Sequence, residues 1–351
     1  MFNPKYILND SIVSSLTAIA EAKVVIERAK ILPQQELKLR RQALARMTHS
    51  STAIEGNELS FYQVEALVDH KKIEAAERDI HEVENYLSAM RYIGKIGAEK
   101  QPITEKVILH VHKLVTSQTL KKDESGLYRK VPVYVVRRRL GQPVKLMYTG
   151  PDASRVRSLV ADLIAWIGEG ESREIHPVVV AGVVHQEIAA IHPFTDGNGR
   201  TARALATLVL YQRGYDFRRL FALEDYYNED RPAYYAAINT GENYQERKVD
   251  LTGWLEYFVR GFEQEIMKVK GQGRSLSAKG MGKDVQQKVF LDKDQLKIID
   301  FIDHLGRITT KDVMDVLNCP QRTAQLCLQQ LKERGIIVPV GKGRATYYIL
   351  K

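Results

Sequence analysis

Cysteine is nearly missing from this 351-residue chain: Cys319 and Cys327 are the whole supply, and both come late. Two thiols in that position exclude a disulfide scaffold or a cysteine metal cage and fit a reducing compartment. Apolar runs are short, none approaching the ~20 residues that cross a bilayer, which excludes a membrane-spanning helix. The opening Met1-Phe2-Asn3-Pro4-Lys5 lacks the basic-then-apolar pattern of an export signal, so a cytoplasmic protein with no membrane partner is expected. A Gly-x-x-x-x-Gly-Lys-Ser/Thr loop is also absent, which excludes a Walker-type ATPase. Acidic residues are the minority, 43 Asp and Glu against 52 Lys and Arg, for a formal net charge of +9. At this length the chain can hold more than one domain.

What is present is concentrated in one run, His192-Pro193-Phe194-Thr195-Asp196-Gly197-Asn198-Gly199-Arg200, extended by Arg203. The residues after it are strong helix formers, so Gly197 to Gly199 fall at a helix N-terminus whose free N–H groups suit an anion. That inventory fits phosphoryl or nucleotidyl chemistry. His192 is the candidate general base, because an imidazole is largely neutral at pH 7. Asp196 is a hard oxygen ligand beside a phosphate site, the setting in which Mg²⁺ combines one carboxylate with phosphate oxygens and water. Gly197 and Gly199 let backbone approach phosphate closely, and the Asn198 amide can add a donor. Arg200 and Arg203, three apart, share a helix face and can fork onto phosphates, while Phe194 packs inward.

These residues match the Fic family motif, His-x-Phe-x-Asp/Glu-Gly-Asn-Gly-Arg-x-x-Arg, at every fixed position, and the helix Val184 to Ile191 before it is similar to that family's lead-in. The resemblance implies transfer of AMP from ATP to a Ser, Thr or Tyr hydroxyl of a protein, with ATP as donor, Mg²⁺ as cofactor and a target protein as partner. It leaves room for self-modification and for a homodimer. Upstream, Ser51-x-x-x-Glu55-Gly56 is similar to the family's inhibitory motif, and Leu37 to Ile54 reads as a helix stopped by Gly56. By that resemblance Glu55 pairs with the first motif arginine, Arg200, and bound ATP is unproductive. Glu55 can then be counted among the nucleotide-site residues as well as the inhibitory set of Ser51, Glu55 and Gly56. In some relatives the same glutamate supports AMP removal.

Gly126-Leu127-Tyr128-Arg129 leads into the β-branched Val131 to Val136, and Gly141-Gln142-Pro143 offers a turn before Val144 to Tyr148, together a β-hairpin. In the family such a flap clamps a target segment by strand addition. Tyr148-Thr149-Gly150-Pro151 resembles its Tyr-x-Pro-Pro end, with Gly150 in place of one proline. Tyr234 and Tyr235 read either as packing residues of an amphipathic helix or as an aromatic face for the adenine.

Helical periodicity runs through Ile12 to Ile31, Val64 to Ile96, Val107 to Val115 and Val156 to Ile167, so the expected fold is mainly α: a Fic-type helical core with a small β-hairpin flap. The expected division is a helical region at 1–105 carrying the inhibitory helix, a catalytic core at 106–265, a Gly- and Lys-rich flexible linker at 266–291, and a last domain at 292–351. That domain reads as helices over Asp294 to Leu305, Thr310 to Leu317 and Pro320 to Arg334, then a hairpin from Ile336 to Leu350. It resembles a winged helix-turn-helix. Gln321, Arg322, Thr323 and Gln325 stand at the start of the recognition helix and Lys342 and Arg344 on the wing, which makes DNA a candidate partner. Competing readings are a DNA-binding regulator with a nucleotide-sensing core, and a Fic enzyme with another donor.

Overall fold

The computed structural model describes residues 2–29, 31–137, 145–172, 175–247, 250–279, 291–305, 307–341, 343 and 346–351. The chain divides into two compact units, one made of residues 1–28 and 40–271 and the other of 29–39 and 272–351. The fold is mainly α, as the sequence implies. None of the helices among the described residues is long and apolar enough to cross a membrane.

The elements of the first unit begin with α1 (Asp10–Arg28), α2 (Pro33–Ile54), α3 (Phe61–Val68), α4 (Glu77–Ala98) and α5 (Glu105–Val115). A two-stranded sheet, β1 (Tyr134–Arg137) and β2 (Lys145–Thr149), is followed by α6 (Ala153–Ser172), α7 (Pro177–Ile191) and α8 (Asn198–Gln212). Then come α9 (Leu223–Glu229), α10 (Arg231–Ile238) and α11 (Thr252–Lys279). The first seven residues of α2 fall in the second unit and its remainder in the first. The periodic stretch from Val64 to Ile96 is two helices rather than one. His70 takes a left-handed φ of 58° and its N–H, with that of Lys71, closes the end of α3 on Leu67 and Ala66.

Helix α7, Pro-Val-Val-Val-Ala-Gly-Val-Val-His-Gln-Glu-Ile-Ala-Ala-Ile, is apolar on nearly every side, so it belongs in the interior. Val180, Val183 and Ile188 are fully buried. Helix α8 is buried along most of its length and packs against α7, α4 and α5. The turn from His192 to Gly197 therefore joins two helices held on several sides.

The strands β1 and β2 pair antiparallel, Tyr134 opposite Thr149 and Val135 opposite Tyr148, with a bulge between Val135 and Val136. The expected turn at Gly141-Gln142-Pro143 lies outside the described residues. Gly150 donates its N–H to Val133 O at 3.1 Å, closing the base of the hairpin. A proline there has no N–H to give.

The second unit holds α12 (Lys293–Leu305), α13 (Thr310–Leu317), α14 (Gln321–Glu333), β3 (Ile337–Val340) and β4 (Tyr347–Leu350). Thr309 and Asp312 form a reciprocal capping box on α13. Gly335, at φ 69°, ends α14. Ile298, Ile302, Val313, Leu328, Leu331 and Ile337 are the centre of its core, and Leu37 of α2 packs against them. Lys342 and Arg344 lie outside the described residues. The expected loose linker is corrected over its first part: α11 continues through Gly271 to Lys279.

Candidate active site

His192 ends α7 in the left-handed conformation, φ 50° and ψ 59°, with its N–H on Ile188 O. Its Nδ1 lies 3.2 Å from Ala189 O. A carbonyl only accepts, so Nδ1 carries the proton and Nε2 keeps its lone pair. Burial pushes the His192 pKa below its ordinary value, against the raising pull of the Glu55 and Asp196 carboxylates, which keeps the ring neutral at pH 7.

Beyond it, Phe194 is completely buried and its N–H donates to Asn198 Oδ1, while Asn198 Nδ2 donates to Phe194 O, both at 2.9 Å. The Asn198 amide thus locks the turn from inside. It does not face outward as the extra anion donor expected of it. Gly197 begins α8 at φ 75°, and a Cβ there would lie 2.7 Å from Thr116 Cγ2, so only glycine fits. Asp196 Oδ1 accepts from Gly197 N at 2.6 Å, and its side chain is 47% exposed at the mouth of the turn. The described residues contain no group of three or more ligating side chains. A lone half-exposed carboxylate at a phosphate site does fit Mg²⁺, which takes few protein ligands beside a nucleotide.

At the N-terminus of α8 a carboxylate of the protein itself lies against the backbone. A Cβ on Gly199 would come 2.2 Å from Glu55 Oε1, so the glutamate lies directly against the glycine backbone. Glu55 reaches it from the turn that ends α2, where Gly56 sits at φ 97°. Its carboxylate accepts from Arg203 Nη2 at 2.8 Å, and Ser51 adds two more acceptors, Oγ for Nε and the main-chain O for Nη2, each at 2.9 Å. Burial opposes the charge on Arg203, yet the Glu55 carboxylate holds its pKa above the ordinary arginine value. Glu55 therefore pairs with Arg203, a correction to the expected pairing with Arg200. Arg200 is turned elsewhere, 3.6 Å from Asp196 and 3.7 Å from Glu82, and its Nε and Nη1 are buried with no hydrogen-bond partner.

The same turn and helix are found in known proteins. Residues 102–210 match the model of the Fic/DOC family, and residues 292–351 match that of the transcriptional regulator DIP2311-like C-terminal domain. The chain carries a Fic domain. Protein adenylyltransferase Fic of Drosophila grimshawi is 30% identical over 203 residues, which are 57% of this chain and 38% of the relative. Protein adenylyltransferase fic-1 of Caenorhabditis elegans is 27% identical over 65% of this chain and 42% of its own length. The chain thus spans well under half of these relatives. A Fic family protein from Desulfovibrio desulfuricans G20 superimposes with a TM-score of 0.64 at 25% identity, covering 100% of this chain and 98% of that one.

Several side chains that shape the Fic turn are remote in sequence from it. His112 of α5 stacks on Phe194 with ring centroids 3.6 Å apart, accepts from Gly126 N at Nδ1 and faces Asp196 O from Nε2 at 3.0 Å. That pair of contacts fixes one neutral tautomer, and burial pushes its pKa down to about 4. Behind Arg203, Tyr86 donates to Glu224 at 2.9 Å, and burial raises the Glu224 pKa to about 7. A buried histidine in an apolar stripe was the one visible signal for His112, and it is shared with any core histidine.

The two tyrosines of α10 separate. Tyr234 is 3% exposed, bonded to His185 at 3.0 Å and stacked on Tyr227, so its faces are taken by the core and the expected adenine contact is corrected for this residue. Tyr235 is 49% exposed and donates to Ile54 O, at the end of α2. It keeps the aromatic face that a base could use.

Proposed function

We propose that this chain is a protein adenylyltransferase that transfers AMP from ATP to a Ser, Thr or Tyr hydroxyl and is restrained by Glu55. The observation that carries the reading is a carboxylate lying on Gly199 and Arg203 at the N-terminus of α8, an anion site of phosphate type already shaped and filled from within. The similar proteins of Drosophila grimshawi and Caenorhabditis elegans are named protein adenylyltransferases, which supports the choice of AMP as the group moved.

In this mechanism a target hydroxyl attacks the α-phosphorus as Nε2 of His192 takes its proton. A new oxygen–phosphorus bond forms, the bond to the β-phosphate oxygen breaks, and pyrophosphate leaves. The free N–H groups of α8 and the guanidinium of Arg203 face the charge of the leaving phosphates, with Arg200 beside Asp196 adding unpartnered donors. Asp196 would hold Mg²⁺, which neutralises phosphate charge when bound. The compartment in this proposal is a reducing, cytoplasmic one, in keeping with two free thiols, Cys319 and Cys327.

The test is mass analysis of wild type, Glu55→Gly and Glu55→Gly with His192→Ala after incubation with Mg²⁺, α-labelled ATP and a cell extract. An adduct of about 329 Da on a protein hydroxyl, formed by Glu55→Gly alone, is the expected result. Transfer of UMP, phosphate or phosphocholine instead would keep the chemistry and change the donor. No adduct in any form would overturn the enzyme reading.

A second reading concerns the last unit. Three helices and a two-stranded sheet leave Gln321, Arg322, Thr323 and Gln325 exposed at the start of α14, and the match there is to a transcriptional regulator's domain. We propose that this winged helix-turn-helix faces duplex DNA. A salt-dependent mobility shift that Arg322→Ala weakens would support it.

A further inference from the structure

Arg129 is 3% exposed, yet no carboxylate is among its hydrogen-bond partners. Every one is a main-chain carbonyl. Nε donates to His192 O at 2.8 Å, Nη1 to Val131 O at 2.9 Å, and Nη2 to Pro151 O at 2.5 Å and Ile191 O at 3.5 Å. Its own N–H reaches Pro193 O at 3.0 Å. The partners fall into two sets. Ile191, His192 and Pro193 form the end of α7 that presents the imidazole. Val131 and Pro151 bracket the hairpin of β1 and β2, one before it and one after.

From this geometry we infer that Arg129 is a positioning residue, which ties the His192 turn to both feet of the hairpin and so fixes the place of Nε2 relative to β1 and β2. The inference rests on the adenylyltransferase reading and adds to it a residue that touches neither nucleotide nor target. Three physical points lead to it. The last carbonyls of α7 have no intrahelical donors, and a cation placed there satisfies them and complements the helix dipole. His192 is a non-glycine residue at φ 50°, a conformation that persists only where its surroundings hold it. A planar fork with five donors can span carbonyls from two segments at once, whereas an ammonium is a single point. Gly150 belongs to the same arrangement, since a Cβ there would lie 3.0 Å from Nη2 of Arg129.

The experiment compares Glu55→Gly with Glu55→Gly plus Arg129→Lys, and plus Arg129→Gln, in the full chain. Turnover and the KM for ATP come from labelled transfer, and the His192 ring nitrogens are followed by ¹⁵N NMR in the Arg129→Lys form with Glu55 retained. Displacing a reacting group by about 1 Å costs on the order of a hundredfold, so turnover should fall about a hundredfold while the KM for ATP stays within about twofold. The lysine form should recover only part of the loss relative to glutamine, and the His192 nitrogens should leave the pure Nδ1–H pattern for a mixture. Unchanged turnover in both variants, or an unchanged nitrogen pattern in the lysine form, would overturn the inference. The nitrogen measurement does not need activity. Absence of transfer by Glu55→Gly alone would therefore sink the adenylyltransferase reading while leaving the role of Arg129 still testable.

Discussion

The two motif arginines, three residues apart on one helix, stand in opposite conditions. Arg203 is held at Nε and Nη2, with three contacts from Ser51 and Glu55 between 2.8 and 2.9 Å. Arg200 is as deeply buried, 2% exposed, but two of its nitrogens have no hydrogen-bond partner and its nearest carboxylates are at 3.6 and 3.7 Å. A buried polar group without a partner costs about 1–3 kcal/mol, so the Arg200 side favours an incoming anion while the Arg203 side resists one. In the proposed function, restraint imposed on one side only leaves room for ATP to bind with its phosphates out of line. Inhibition of this kind lowers turnover more than affinity.

That asymmetry can be broken most directly at the pair itself. Glu55→Gly should raise the transfer rate about a hundredfold, the value of a charge-assisted contact near 3 kcal/mol. In an Arg203→Ala background the same change should matter less than about threefold, because the carboxylate no longer has a cation to hold. Initial rates of the four forms with α-labelled ATP decide this, and equal stimulation in both backgrounds would mean that Glu55 acts elsewhere. On the other side, Arg200→Gln should weaken ATP binding by wild type about tenfold. Titration calorimetry would show it, and the comparison predicts a much smaller loss for Arg203→Ala with Glu55 in place.

Ser51→Ala sharpens the contrast more gently. It removes the acceptor on Arg203 Nε but leaves the Glu55 contact, and about a fivefold rise in transfer is expected. The smallest effect is one of pH on stability. Glu224 is buried, and its pKa is raised from the ordinary carboxylate range to about 7, first by desolvation. Below the unfolded value both states are protonated. Between there and about 7 only the unfolded chain ionises, so the native state loses stability as pH rises. Thermal melts at pH 5 and pH 8 should show a larger fall for wild type than for Glu224→Gln, and parallel falls would count against it.

How much of this was legible depended on distance along the chain. The turn from His192 to Arg203 is contiguous, so its residue types, its glycines and its helix start could be read directly. Local signals also located α13 between Thr310 and Leu317, where Thr309 and Asp312 cap it. Which arginine meets Glu55 was not legible, because positions i and i+3 on one face differ only in how another helix approaches. The same holds for Tyr234 and Tyr235, adjacent residues that point to the core and to the surface. His112, Glu82 and Arg129 bear on the site through contacts to Asp196, Arg200 and His192 across 63 to 118 residues of chain, a range over which no periodic signal extends. The glycines near 271 misled for another reason. Glycine lowers helix propensity by only about 1 kcal/mol, which the rest of α11 outweighs.

Gly199, with Glu55 pressed against its backbone, has one further consequence. In the proposed restraint the competing carboxylate is tethered, so the in-line pose of the phosphates faces an effective concentration set by the reach of a single helix end, of millimolar order for a short link and the same at every dilution of the protein. Adding nucleotide does not offset such a competitor, because it acts on the pose of bound ATP rather than on its binding, whereas a small displacement of α2 removes it altogether. Activity in this chain should therefore follow the position of one helix more steeply than it follows the supply of ATP.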